Sequence, residues 1–165
     1  MANDRTINLP GNLPGQPAGP CAMVIFGAAG DLTKRKLIPA LYNLARSQLL
    51  PQEFAIVGVA RAPMTTDEFR QKMSRDIREF ATDEVDPGLW GWFAERLHYL
   101  PGNFEDSKLY PELRTMLETV DKEHGTRGNY FYYLATSPSF FSGVVQCLGE
   151  VGLIQEDNGR WRRVI

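Results

Sequence analysis

Histidine and cysteine are scarce in this chain, with two of each among 165 residues. Cys21 and Cys147 both sit in apolar stretches, and neither lies near a histidine in sequence. They read as reduced, buried thiols of a cytosolic protein, not as a disulfide, a nucleophile or a metal site. An excess of either charge is also lacking. Eighteen lysines and arginines face twenty acids, a net charge of −2. That balance gives no reason to expect nucleic acid or an anionic membrane as partner. No apolar run approaches the ~20 residues that span a bilayer. No positively charged segment followed by an apolar stretch marks a secretory signal. The expectation is a cytoplasmic protein, with no nucleic-acid partner and no membrane partner.

What is present fits one α/β domain. A chain of this length buries roughly 70% of its unfolded surface. Residues 1–20 differ from the rest, holding Pro10, Gly11, Pro14, Gly15, Pro17, Gly19 and Pro20 with hardly a hydrophobic side chain. They read as a flexible leader ahead of a domain over 21–165.

From Cys21 onward, strand and helix patterns alternate. Apolar runs at 21–26, 54–60, 97–100 and 130–135 read as strands, and Trp161 to Ile165 begins a further one. Between them, Leu37, Ile38, Leu41, Leu44, Ala45 and Leu49 recur at helical spacing. Pro39 suits a first helical turn, so residues 31–36 read as a separate turn and Pro51 as the stop. Thr65 to Glu68 is a capping box opening a helix to about Phe80. Asp86-Pro87 starts a short helix over 87–96. Lys108 to Glu123 reads as a helix that Gly125 and Gly128 break. Thr136-Ser137-Pro138 caps a helix running to about Val151. This alternation predicts a Rossmann-like, mainly parallel sheet with helices on both faces.

The first strand ends in Gly27-Ala28-Ala29-Gly30-Asp31-Leu32-Thr33-Lys34. Gly27 offers a residue that tolerates positive φ, and Gly30 a position without a side chain. A strand–glycine turn–helix junction can bring backbone N–H groups to a phosphate. The spacing, Gly27-x-x-Gly30-x-x-Thr33, departs from G-x-G-x-x-G, and a plain turn without ligand carries the same pattern. Ligands of such sheets lie beyond the carboxyl ends of the strands. Those ends present Gly27 to Lys34, Arg61, the Gly102-Asn103-Phe104 turn and the Thr136 turn. Where NAD binders place an acid after the second strand, this chain places Arg61. Arginine leaves ribose hydroxyls without an acceptor but pairs with a 2′-phosphate, which favours NADP.

The run Phe26 to Leu44 resembles the opening of the glucose-6-phosphate dehydrogenase family, with its G-A-S-G-D-L-[TA]-K-[RK]-K stretch, apolar pair and proline. Val57 to Arg61, Gly102 to Asp106 and Tyr132 to Pro138 match further pieces of it in order. The resemblance implies an oxidoreductase of the pentose phosphate pathway, oxidising glucose 6-phosphate with NADP to 6-phosphogluconolactone. It implies that Gly27, Ala28, Ala29, Gly30, Asp31, Leu32, Thr33 and Lys34 hold the pyrophosphate and adenosine ribose. Arg61 would hold the 2′-phosphate, and Asn103, Phe104 and Tyr133 would lie beside the dinucleotide. Ala29 replaces the family's usual serine, a loss of one hydrogen bond worth ~1 kcal/mol.

In the family a Glu-Lys-Pro segment, the segment with the base histidine and a larger α+β domain follow a strand like Arg163-Val164-Ile165. That domain carries most of the sugar-phosphate site and a homo-oligomer interface. No catalytic residue and no metal ligand is assigned here. His98 reads as a core histidine and His124 as a surface residue at a helix end. The chain alone is expected to bind NADP without turnover. A non-enzymatic NADP-binding module and another NADP-dependent Rossmann oxidoreductase stay open, although a Tyr-x-x-x-Lys pair is lacking.

Overall fold

The computed structural model describes residues 15–165. Most of the expected leader over 1–20 lies outside the described residues, and its residues 15–19 are exposed without regular structure. The strands are β1 (Cys21–Phe26), β2 (Phe54–Ala60), β3 (Leu97–Pro101), β4 (Tyr130–Leu134) and β5 (Arg162–Val164). They form one sheet in the order β3-β2-β1-β4-β5, with every pairing parallel. The helices are α1 (Ile38–Arg46), α2 (Thr66–Phe80), α3 (Pro87–Glu95), α4 (Leu109–His124) and α5 (Phe141–Glu150). This is the expected Rossmann-like architecture.

Strand alternation builds both layers. Cys21, Met23 and Ile25 of β1 pack with Ile38, Tyr42, Phe69, Met73, Ile77 and Phe93 of α1, α2 and α3. Ala22, Val24 and Phe26 pack with Tyr110, Leu113, Leu117 and Val120 of α4 and Val144 and Leu148 of α5. Because helices cover both faces, β1 and β2 are buried at every residue, which explains why they read as unbroken apolar runs. The free Cys21 lies in this core, and burial pushes its thiol up to about 11. Cys147 is also free and half-buried.

The starts of α2 and α3 follow the sequence signals closely. The Glu68 amide donates to Thr65 Oγ1 (3.2 Å) and the Thr65 amide to Glu68 Oε2 (2.7 Å). Asp86 Oδ1 accepts from the Leu89 amide at 2.6 Å. Three boundaries differ from expectation. Residues 31–36 do not form a separate turn, because the chain is helical from Asp31 and passes through Thr33–Leu37 into α1 without a break. α1 ends at Arg46, well before Pro51, because Gln48 enters the left-handed region (φ 57°). There the Leu49 amide returns to the Leu44 carbonyl and the Gln48 amide to the Ala45 carbonyl, a Schellman closure. Ser137 does not cap α5 through its side chain. A 3-10 turn over Pro138–Phe140 leads into that helix instead.

One glycine inside β2 connects this packing to the strand ends. A Cβ at Gly58 would stand 2.8 Å from the Ala28 methyl and 3.0 Å from Phe69 Cζ. The turn after β1 thus rests on a gap in the neighbouring strand. Gly58→Val is expected to lower unfolding free energy by about 1–3 kcal/mol, the usual cost of overpacking, in a urea titration followed by far-UV circular dichroism. An unchanged midpoint would show that Ala28 and Phe69 yield freely.

Candidate nucleotide site

The strand order reverses between β1 and β4, so the chain leaves these two neighbours in opposite directions and opens a crevice at their carboxyl ends. The turn after β1 borders it. Gly27 has φ +93°, and a Cβ there would sit 2.1 Å from the Ala135 carbonyl oxygen at the end of β4. Only glycine fits this backbone crossing. The Gly27 and Ala28 amides both reach the Val59 carbonyl of β2, at 2.8 and 3.2 Å. The Gly27 carbonyl accepts from the Gly30 amide (3.0 Å) and from Thr33 Oγ1 (3.3 Å). An added Cβ at Gly30 would meet that same carbonyl at 3.2 Å.

Past this closed turn the chain is helical, with a π-helical stretch over Thr33–Leu37 running into α1. The Lys34 amide makes the first backbone bond of that run, to the Gly30 carbonyl at 3.4 Å. The Asp31, Leu32 and Thr33 amides precede it and have no intrahelical acceptor. They form the positive end of a helix beside the crevice.

The side chains proposed for the site divide by burial. Ala28 and Thr33 are closed off completely, and the Thr33 hydroxyl is committed to Gly27. Phe104 belongs to the core, edge-to-face with Phe26 (5.5 Å) and Phe140 (5.7 Å). Asn103 is exposed and its Oδ1 accepts from the Glu105 amide. Tyr133 is half-buried against Phe131. Ala29 is half-buried and Leu32 exposed in the turn. Lys34 pairs with Asp31 at 3.1 Å, and Arg35 reaches the same carboxylate at 3.7 Å. Lys34 first, and Arg35 beyond it, holds the Asp31 carboxyl below its ordinary value. Arg61, exposed at the end of β2, forms no hydrogen bond or ion pair among the described residues.

Three sizeable hollows lie elsewhere. One of about 570 Å³ is lined by Ala45, Leu50, Leu89 and Trp92, one of about 540 Å³ by Ile77, Val85, Pro87 and Trp90, and one of about 510 Å³ by Arg114, Asp121, Tyr130 and Arg162. None includes a residue of the glycine turn.

Residues 24–165 match the family model described as glucose-6-phosphate dehydrogenase, NAD binding domain. The chain belongs to this family. It is 41% identical over 150 residues to glucose-6-phosphate 1-dehydrogenase of Chlamydia muridarum, covering 88% of this chain and 30% of that protein. It is 42% identical over 149 residues to the Chlamydia pneumoniae enzyme of the same name, covering 88% and 29%. A solved glucose-6-phosphate dehydrogenase in complex with its substrate glucose 6-phosphate superposes with a TM-score of 0.75 at 27% identity. That match covers 90% of this chain and 30% of that one. The chain thus spans about 30% of the length of these relatives. Among its described residues, no helix is long and apolar enough to cross a membrane.

Sequence reasoning missed how the two histidines of this domain sit. His124 is not a surface residue; its side chain is only 13% exposed, like that of His98. Their Nε2 atoms lie 2.9 Å apart. Burial first, then His124 and Arg70, pushes the His98 imidazole down to about 4. Burial also lowers His124. The signal was available in principle. A helix following a parallel strand runs antiparallel to it, so the end of α4 returns to the start of β3. Both histidines therefore lie at the sheet edge opposite the glycine turn.

Gly27→Ala is expected to cost about 2–4 kcal/mol, from the positive φ together with the collision at Ala135. A thermal melt of the variant checks this. Stability equal to wild type would mean that the turn has another accessible conformation.

Proposed function

We propose that this chain is the NADP-binding part of a glucose-6-phosphate dehydrogenase and that Arg61 selects NADP over NAD. The observation that carries this reading is Arg61, without a partner among the described residues at the end of β2, near a helix start whose first three amides have no intrahelical acceptor. The residue types fit the cofactor. Gly27 is taken up by the crossing with Ala135, the exposed Gly30 leaves the turn without a side chain on its open side, and the Asp31 to Thr33 amides offer donors to anionic oxygens. Arg61 offers a planar, permanently charged fork for a 2′-phosphate. No acid stands there to accept from the ribose hydroxyls that NAD would present. Lys34, released from Asp31, adds a second cation. Ala28, Thr33 and Phe104 contribute by shaping the turn and the floor beneath it. Asn103 and Tyr133 stand on neighbouring strand ends.

NADP, when bound, supplies the hydride acceptor for oxidation of glucose 6-phosphate at C1. The residues of this chain bind and orient the dinucleotide. Proton removal from the sugar hydroxyl needs a base at the same edge. Both histidines of this chain lie at the other edge, so that role falls to residues outside the domain described. The resemblance assigns the sugar-phosphate site and subunit contacts to the family's larger domain.

Isothermal titration with both cofactors tests the selection. NADP is expected to bind more tightly than NAD. Arg61→Ala should weaken NADP by about 10–100-fold, the worth of a charged hydrogen bond, and leave NAD nearly unchanged. Equal affinity for both cofactors in the wild-type chain would defeat the 2′-phosphate argument. The pure 165-residue chain should produce no NADPH from glucose 6-phosphate; measurable turnover would place a base at this edge after all.

A further inference from the structure

His98 is the second residue of β3, after the buried Leu97, and Glu123 and His124 close α4. Their side chains converge at the amino-terminal edge of the sheet. The two Nε2 atoms are 2.9 Å apart, and each is 3.9 Å from Glu123 Oε2. A point exists that is about 2.1 Å from all three atoms at once, which matches zinc's bonds to imidazole nitrogen and carboxylate oxygen.

We propose that His98, His124 and Glu123 form a binding site for a divalent transition-metal ion of zinc type. The donor set is two imidazoles and one carboxylate, the borderline-soft combination that zinc accepts readily. Glu123 is half-exposed while the histidines are nearly enclosed. The ion would thus be held from the protein side and open to solvent on the other; that point lies in the plane of the three atoms, so tetrahedral coordination with one water requires the imidazole nitrogens to part to about 3.4 Å. Around the three ligands, Arg70 and Arg96 face the cluster with Glu95 opposing them, so Glu123 supplies the carboxylate charge that offsets the ion. Both guanidinium groups are also anchored elsewhere. Arg70 donates to the Leu97 and Glu95 carbonyls, and Arg96 stacks on Trp92 while donating to its carbonyl.

A hydrogen bond between the two imidazoles is the competing account of the short contact. It needs no carboxylate, whereas here Glu123 stands equidistant from both rings. The ion would tie the start of β3 to the end of α4 and so close the βα unit. The site lies across the sheet from Gly27 and Arg61 and does not depend on the NADP reading.

The test uses the whole 165-residue chain, stripped of metal by a chelator and titrated with Co2+ alone. One equivalent is expected to give the visible absorption of a four- or five-coordinate ion. Zn2+ should then abolish it stoichiometrically. Zn2+ at a hundredfold excess over its Kd should raise the melting midpoint by roughly 5–10 °C. H124Q should weaken binding by more than the ~10–100-fold that changes behind a metal ligand cost, and E123Q by about 10-fold or more. Both are helix-end substitutions outside the sheet, with folding checked by far-UV circular dichroism. Only the spectrum of the hydrated ion, or H124Q binding as tightly as wild type, would overturn the proposal and leave a hydrogen-bonded imidazole pair.

Discussion

The structure is organised around one crossing of two backbones. The Ala135 carbonyl oxygen occupies the volume where residue 27 would carry a side chain. This contact brings the ends of β1 and β4 together at the reversal of strand order. Everything that makes the edge useful follows from it. The Gly27 carbonyl, turned inward, is satisfied by Gly30 and Thr33, and that closure directs the next amides outward at the start of a helix. The gap at Gly58 lets the same turn settle onto β2. Three neighbouring strands thus determine the shape of a loop that has few side chains of its own.

Much of this was legible in the residues. The buried runs of β1 and β2 and the alternation of strands with helices gave the sheet, because a parallel sheet covered on both faces leaves no polar face to read. The capping box at Thr65 and the Asp86-Pro87 start acted as local signals and held. The left-handed Gln48 left no trace in composition, since nothing distinguishes it from a continuing helical glutamine. The depth of Thr33 was equally hidden. The resemblance groups Thr33 with the residues that hold the dinucleotide, and its hydroxyl closes the turn itself. Phe104 followed the same pattern, its ring taken into the aromatic chain between Phe26 and Phe140.

The histidine pair shows a different limit. Each residue was assessed within its own segment, and each segment was read correctly as a strand and a helix end. Their meeting depends on the pairing of two elements, which no local window contains. Asp121 behaves alike: its carboxylate gathers the Thr126 hydroxyl, the Gly128 amide and the Tyr130 hydroxyl, tying the end of α4 to the start of β4.

On the proposed reading, the Asp31–Lys34 pair is a built-in competitor for the dinucleotide. A pyrophosphate arriving there would not meet a free ammonium group; it would have to draw Lys34 away from a carboxylate three residues back. Salt therefore acts twice at this edge. It screens the attraction between protein and dinucleotide, and it loosens the internal pair that holds the lysine back. These effects oppose each other, so ionic strength should influence recognition here less steeply than a count of nearby basic residues suggests.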